Sequence, residues 1–303
     1  MNNQITNKIV MVRPALFFFN KETAVNNHYQ HFDDEKVENV NEKALKEFDT
    51  LAKKISEKGV EVNIIQDTLD ISTPDSIFPN NWFSSHQEGF LFFYPMFAEN
   101  RRQELEKFRN KMYDIVGRKS LKIVDYSLQT KDNIFLEGTG SIVLDRKNKK
   151  AYCSLSQRSN EKLFKKFCEE IKYKPVVFRA FQDGYPVYHT NVLMSIGENR
   201  AIICLEAITD KNEREIVKKE LEESKKEIIE ISLEQVKNFL GNTLELIGKD
   251  KKRFVVMSET AYKSLTEEQK NKILKDTEIL YSNVETIEYY GGGSVRCMIG
   301  EIF

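Results

Sequence analysis

Residues 286–303, TIEYYGGGSVRCMIGEIF, end the chain, and they hold three consecutive glycines, Gly291 to Gly293, out of only 13 in 303 residues. Four residues after that run comes Cys297, followed by an apolar stretch that reads as a strand. The partner of this last strand decides the fold. Upstream, four units share one order of strand, strand, amphipathic helix, strand. They open with DSIFPNNWFSSH (75–86), IFLEGTGSIVLD (134–145), PVYHTNVLMSIG (186–197) and FLGNTLELIG (239–248). Their helices are expected over 100–116, 160–171, 211–224 and 261–275. A period near 50 residues marks a repeat architecture.

The first unit contains the strand NKIVMVRP (7–14), the helix NEKALKEFDTLAKKISEKG (41–59) and the strand VEVNIIQ (60–66), but no opening strand. The leftover C-terminal strand supplies it. The expected fold is therefore α/β, a closed five-fold ring of ββαβ units that forms a single domain over 1–303 and protects its sheet edges.

Bulk composition narrows the function. A net charge of -1 gives no global attraction to nucleic acid or an acidic membrane. The most apolar run, GFLFFYPMF (89–97), is too short to span a bilayer. No secretory signal is visible in MNNQITNKIVMVRP, and the cysteines at 153, 168, 204 and 297 have no regular spacing. These features lead us to expect a cytoplasmic protein with free thiols, no metal and no cofactor. The outer helices leave oligomerisation open, a homodimer included.

Polar residues fall in register with the repeat. Asp75, Glu137, His189, the Gly241–Asn242 pair and Cys297 lie beside the first strands of successive units, with separations of 62, 52, 53 and 55 by subtraction. Equivalent positions of a pseudo-symmetric ring face one axis. A cysteine, a histidine and a carboxylate converging there form a layout for nucleophilic catalysis. Each of the three, taken alone, is as readily a core or ion-paired residue; their common register is what distinguishes them.

The motifs PDSIFPNNWFSSH, FLEGTGSIVLDR, SLSQRSN, DGYPVYHTNVLMSIG and GGGSVRCMIGEIF together resemble the guanidino-group-modifying enzymes, or penteins, over essentially the whole chain. They are most similar to the citrulline-utilisation hydrolase branch, often described as amidinotransferase-like. The resemblance implies a five-bladed α/β-propeller, the pentein fold. It implies Cys297 as nucleophile, His189 as general acid/base and Glu137 beside the imidazole. It further implies Arg158 as a clamp on the carboxylate of a small amino-acid substrate, with Asp75, Asn80, Asn81, Asn191, Gly292 and Gly293 lining the substrate site. One of Arg101 and Arg102 is open as a second contact for the substrate, although an adjacent pair at a helix start reads first as surface charge. The glycine run is expected to bring main chain close to the substrate while swinging the thiol inward.

One departure from the family pattern bears on substrate. Dimethylarginine hydrolases follow the first aspartate, five and six residues on, with two more acids; this chain has Asn80 and Asn81 there. Arginine deiminases carry an aspartate two residues after the histidine; this chain has Asn191. An amide offers donors and an acceptor without charge, which suits a neutral ureido group better than a guanidinium. The expected reaction is hydrolysis of L-citrulline to ornithine, carbon dioxide and ammonia through a covalent Cys297 adduct, with an imidazolium or the substrate favouring the thiolate. Arginine deiminase or amidinotransferase activity is the alternative, and a non-catalytic propeller that binds a macromolecule is the alternative of another class.

Overall fold

The computed structural model describes residues 3–117 and 121–303. Five three-stranded sheets repeat one pattern, an antiparallel pair followed by a parallel one, and a separate two-stranded hairpin joins Phe181–Gln182 (β9) to Tyr185–Pro186 (β10). The second sheet contains β3 (Phe83–His86), β4 (Phe90–Phe93) and β5 (Lys122–Asp125), and the third β6 (Val143–Asp145), β7 (Lys150–Ser154) and β8 (Lys174–Phe178). The fourth contains β11 (Met194–Ile196), β12 (Arg200–Ile203) and β13 (Glu227–Glu230), and the fifth β14 (Leu244–Ile247), β15 (Arg253–Ser258) and β16 (Glu278–Ser282). The first sheet combines β1 (Lys8–Arg13) and β2 (Glu61–Gln66), parallel to each other, with β17 (Gly300–Glu301) from the far end of the chain. β17 runs antiparallel to β1, with Ile9 opposite Glu301 and Val10 opposite Gly300. The leftover strand thus completes the unit that lacked one.

Each parallel pair needs a crossover, and an amphipathic helix supplies it. Val37–Glu57 buries Val40, Ala44, Phe48, Leu51, Ala52 and Ile55, a stripe at helical spacing. Glu161–Ile171 starts where the Asn160 side chain accepts from Leu163 N, and it buries Leu163, Phe164, Phe167, Cys168 and Ile171. Full burial of a side chain such as Phe164 contributes roughly 2–3 kcal/mol. The helix expected over 261–275 is in fact two, Glu259–Ser264 and Glu267–Leu274. Leu265 is extended, and Thr266 with Gln269 forms a capping box that starts the second helix afresh.

The opening strands are shorter than the alternation of residues suggests. Ahead of β3, β6 and β11 the backbone makes one buried helical turn, at Pro79–Asn81, Gly138–Ser141 and Thr190–Leu193. Cys297 lies in a comparable turn before β17, where Cys297 N donates to Ser294 O at 2.9 Å. Hydrogen bonds link these turns in order. Thr139 Oγ1 donates to Asn80 O (3.2 Å), Thr190 Oγ1 to Ser141 O (2.5 Å) and Asn242 Nδ2 to Asn191 O (3.0 Å), while Arg296 N donates to Asn242 Oδ1 (3.1 Å). The series gathers distant stretches of chain. Among the described residues no helix is long and apolar enough to cross a membrane.

Candidate active site

His189 and Glu137 form a direct pair. His189 Nε2 lies 2.7 Å from Glu137 Oε2, and both side chains are buried. Burial alone would raise the Glu137 carboxyl, but the Arg158 guanidinium, the His189 contact and Arg101 bring it down to about 2. Burial lowers the imidazole to about 4 in spite of Glu137, because Arg158 and Arg101 also oppose a further positive charge there. Near neutrality Glu137 is therefore a carboxylate and His189 a neutral ring. The carboxylate accepts Nε2–H and leaves Nδ1 as the basic nitrogen. Burial thus disfavours the imidazolium, one of the two expected aids to the thiolate, and leaves the other, the substrate. A Cβ on Gly140 would stand 2.7 Å from Nδ1 and 2.4 Å from Asn81 Nδ2, so only glycine fits between these two groups.

Cys297 Sγ faces two side-chain amides, with Asn242 Nδ2 at 3.2 Å and Asn191 Nδ2 at 3.5 Å. The glycine run before it has two functions. Gly292 adopts φ +59°, and Cβ atoms on Gly291 and Gly293 would press to 2.8 and 3.0 Å from the Phe78 ring. Gly292 O accepts from Tyr188 Oη at 2.7 Å, and Glu288 accepts from Ser294 Oγ at 2.6 Å. The loop is held on both sides.

Buried polar atoms without a hydrogen-bond partner include Asp75 Oδ1, both amide atoms of Asn80, Asn81 Nδ2 and Asn191 Oδ1, with Ser154 Oγ and Ser159 Oγ among others. Such atoms are rare in folded proteins, and among these Asn191 adjoins Cys297 and Asn81 adjoins His189. Asp75 Oδ2, by contrast, accepts from Asn20 Nδ2 (2.8 Å) and Thr23 Oγ1 (3.0 Å), and burial raises its carboxyl.

Two arginines differ from expectation. Arg101 is 2% exposed rather than a surface charge. It pairs with Glu104 through Nε (2.8 Å) and Nη2 (3.0 Å), and it holds Asn81 Oδ1 through Nη1 at 2.7 Å. The 101–104 spacing places both on the buried face of the helix Glu99–Val116. Arg102 donates instead to Met96 O and Phe97 O. Arg158 lies 3.5 Å from Glu137, and its other donors reach Thr23 O (2.8 Å) and Asn26 Oδ1 (2.8 Å from Nε). A substrate carboxylate at Arg158 would compete with those partners.

Residues 20–31 also line the site, which the sequence signals only as a polar stretch. Asn20 and Thr23 hold Asp75, Asn26 holds Arg158, and Asn27 Nδ2 reaches Gly291 O at 3.3 Å. His86 lies elsewhere, buried between Ser84 and Arg146, and Trp82 packs against Phe83 and Phe108.

The His189 shift has a consequence for stability. Its folded value, about 4, lies below the usual 6.5, so the native state resists a proton that the unfolded chain accepts. Stability is full above pH 6.5 and is lost as pH falls through about 4, by on the order of 3 kcal/mol. His86, held well below its usual value by burial and Arg146, acts in the same direction. Denaturant midpoints are expected to drop over this window, and His189→Gln to drop less. An equal drop in both proteins would contradict the assignment.

Comparison with known proteins sets this cluster in a family. The family model for N,N dimethylarginine dimethylhydrolase, eukaryotic, matches residues 13–303. The chain belongs to that family. This dimethylarginine dimethylhydrolase family lies within the guanidino-modifying pentein superfamily, and its members are enzymes that hydrolyse C–N bonds other than peptide bonds. No curated protein sequence matches the chain. Among solved structures, the N-terminal domain of ArgZ, an arginine dihydrolase from the ornithine-ammonia cycle in Cyanobacteria, bound to substrate, is similar at 15% identity with a TM-score of 0.72, over 96% of each chain. Apo ArgZ matches at 15% identity and a TM-score of 0.75, over 98% of this chain but 41% of its own length. The dimethylarginine dimethylhydrolase from Pseudomonas aeruginosa, a cysteine-to-serine mutant complexed with citrulline, matches at 14% identity and a TM-score of 0.67, over 98% of this chain and 99% of that one. At these identities the likeness shows the mixed α/β fold.

Proposed function

We propose that this family member is a cysteine-dependent hydrolase of the ureido group of a small amino acid, with L-citrulline as substrate and ornithine, carbon dioxide and ammonia as products. In this reading the five sheets are the blades of a propeller closed by β17, forming one catalytic domain around a central site. One observation carries it: the neutral amides Asn80, Asn81 and Asn191 each leave buried polar atoms without a protein partner, as does Asp75 Oδ1, and Asn191 adjoins Cys297 while Asn81 adjoins His189. A ureido group has one carbonyl acceptor and N–H donors, and amides satisfy both without a counter-charge. A guanidinium enclosed by amides would lack most of its anionic compensation.

The chemistry follows from the proton positions. Glu137 accepts Nε2–H, so His189 Nδ1 takes the Cys297 thiol proton. The sulfur then adds to the ureido carbon, and the same proton passes to the terminal nitrogen, which leaves as ammonia. The carbonyl remains on sulfur as a thiocarbamate bonded to the ornithine nitrogen. Water adds to that carbon while His189 takes a proton from it, and the C–S bond breaks. The released carbamate loses carbon dioxide to give ornithine. Water is the only co-reactant.

A second reading, arginine as substrate, rests on Asp75, whose Oδ1 has no hydrogen-bond partner and whose carboxyl, once ionised, would face a guanidinium with an anion. Asn80→Asp separates the two, because both Asn80 amide atoms lack protein partners. With citrulline as substrate, the added charge is expected to lower kcat/KM for citrulline about tenfold and to raise relative activity on arginine. Steady-state assays of both substrates on folded variant check this. An unchanged preference would remove the neutral-substrate reading.

A further inference from the structure

Asn242 is a buried polar residue that the mechanism above does not use. It sits just ahead of β14, at the point of the fifth unit equivalent to Glu137, His189 and Cys297 in theirs. All its hydrogen-bonding atoms have protein partners. Oδ1 accepts from Arg296 N at 3.1 Å, and Nδ2 is directed to Asn191 O at 3.0 Å and Cys297 Sγ at 3.2 Å. Its neighbour Gly241 allows the approach, since a Cβ there would stand 2.3 Å from Val192 O. The contrast with Asn191 is informative. Asn191 places Nδ2 at 3.5 Å from the same sulfur but keeps Oδ1 unpartnered, free for a substrate N–H. Asn242 has no such free atom.

We propose that Asn242 is a positioning residue for Cys297: its amide N–H, with that of Asn191, points at Sγ and stabilises the thiolate over the thiol. Both donors are aimed at one sulfur, and an N–H donor bonds a charged acceptor more strongly than a neutral one. The other charged or titratable groups around the sulfur do not perform this task directly. Arg296 directs its guanidinium to Ile299 O and Glu301, Tyr188 donates to Gly292 O, and His189 is neutral with Glu137 and Arg158 behind it. Arg296 acts on the sulfur only through space, and the two amide N–H groups are the donors directed at it. The inference rests on Cys297 being the nucleophile.

The test is peptide-resolved iodoacetamide labelling of Cys297 against pH, in wild type, Asn242→Ala and Asn242→Asp, together with kcat and KM. Asn242→Asp keeps the shape and the acceptor for Arg296 N, so it decides the matter if the alanine variant does not fold. Both variants are expected to need a higher pH for labelling, by about one unit, with the aspartate shifted more because it places an anion against the sulfur. The value of kcat should fall about tenfold with KM nearly unchanged. A tie between turns with no effect on the thiol would lower thermal stability and leave the labelling profile of folded protein where it was; that result overturns the proposal. Labelling needs no substrate, so failure of citrulline turnover with the profile shifted would count against the substrate alone. A wild-type Cys297 that labels no faster than Cys153, Cys168 or Cys204 would remove the nucleophile reading and this proposal with it.

Discussion

Cys297→Ser is expected to abolish ammonia release, lowering kcat by about 10⁴-fold or more, while the folded structure survives. The sulfur is buried, and it faces two amides that are themselves tied to neighbouring turns. A serine oxygen is smaller than sulfur and accepts the same N–H donors, so packing changes little. Its proton is far less acidic, and a neutral imidazole with a value near 4 is too weak a base to remove it. Circular dichroism and a thermal melt establish that the variant is folded. An initial-rate assay then decides: hydrolysis within tenfold of wild type would remove Cys297 from the chemistry.

Glu137→Gln is expected to be nearly as damaging, by about 10³- to 10⁴-fold in kcat. Glu137 fixes the His189 tautomer from 2.7 Å, so Nδ1 carries the lone pair. A glutamine can present its NH₂ to Nε2, which would place the ring proton on Nδ1 and block proton transfer. The substitution also leaves Arg158 without its nearby carboxylate in a buried setting. Loss of a buried ionic partner costs about 3–5 kcal/mol, so a lowered melting temperature should accompany the lost rate. Kinetics at a temperature where the variant is folded separate the two effects. Full activity there would mean that the carboxylate does not set the tautomer.

The contact of His189 with Glu137, and of Cys297 with Asn191 and Asn242, agrees with the register of the sequence, because a repeat places equivalent residues at equivalent points even when element boundaries are blurred. The boundaries themselves were less clear. Val143–Asp145 and Met194–Ile196 are short strands, and the GTGS and TNVL segments ahead of them coil into single turns held by hydrogen bonds from neighbouring units. Those bonds are long-range and leave no periodic trace. Arg101 was read as surface charge for a related reason. The pattern of a helix shows that a face is buried, but not that Glu104 and Asn81 wait there to pair with a guanidinium. The asparagines of NNHYQHF (26–32) suggest a lid as readily as a polar loop, and only the structure shows Asn26 at Arg158, Asn27 at the glycine loop and Asn20 at Asp75. Asn242 fell in the right register, but its contact with the sulfur depends on how two turns meet.

The reaction on citrulline carrying an isotopic label at its ureido carbon tests the central claim most directly. Labelled carbon dioxide, ammonia and ornithine are expected in equal amounts from the purified protein. Citrulline left intact, with arginine converted to citrulline and ammonia and no carbon dioxide released, would contradict it.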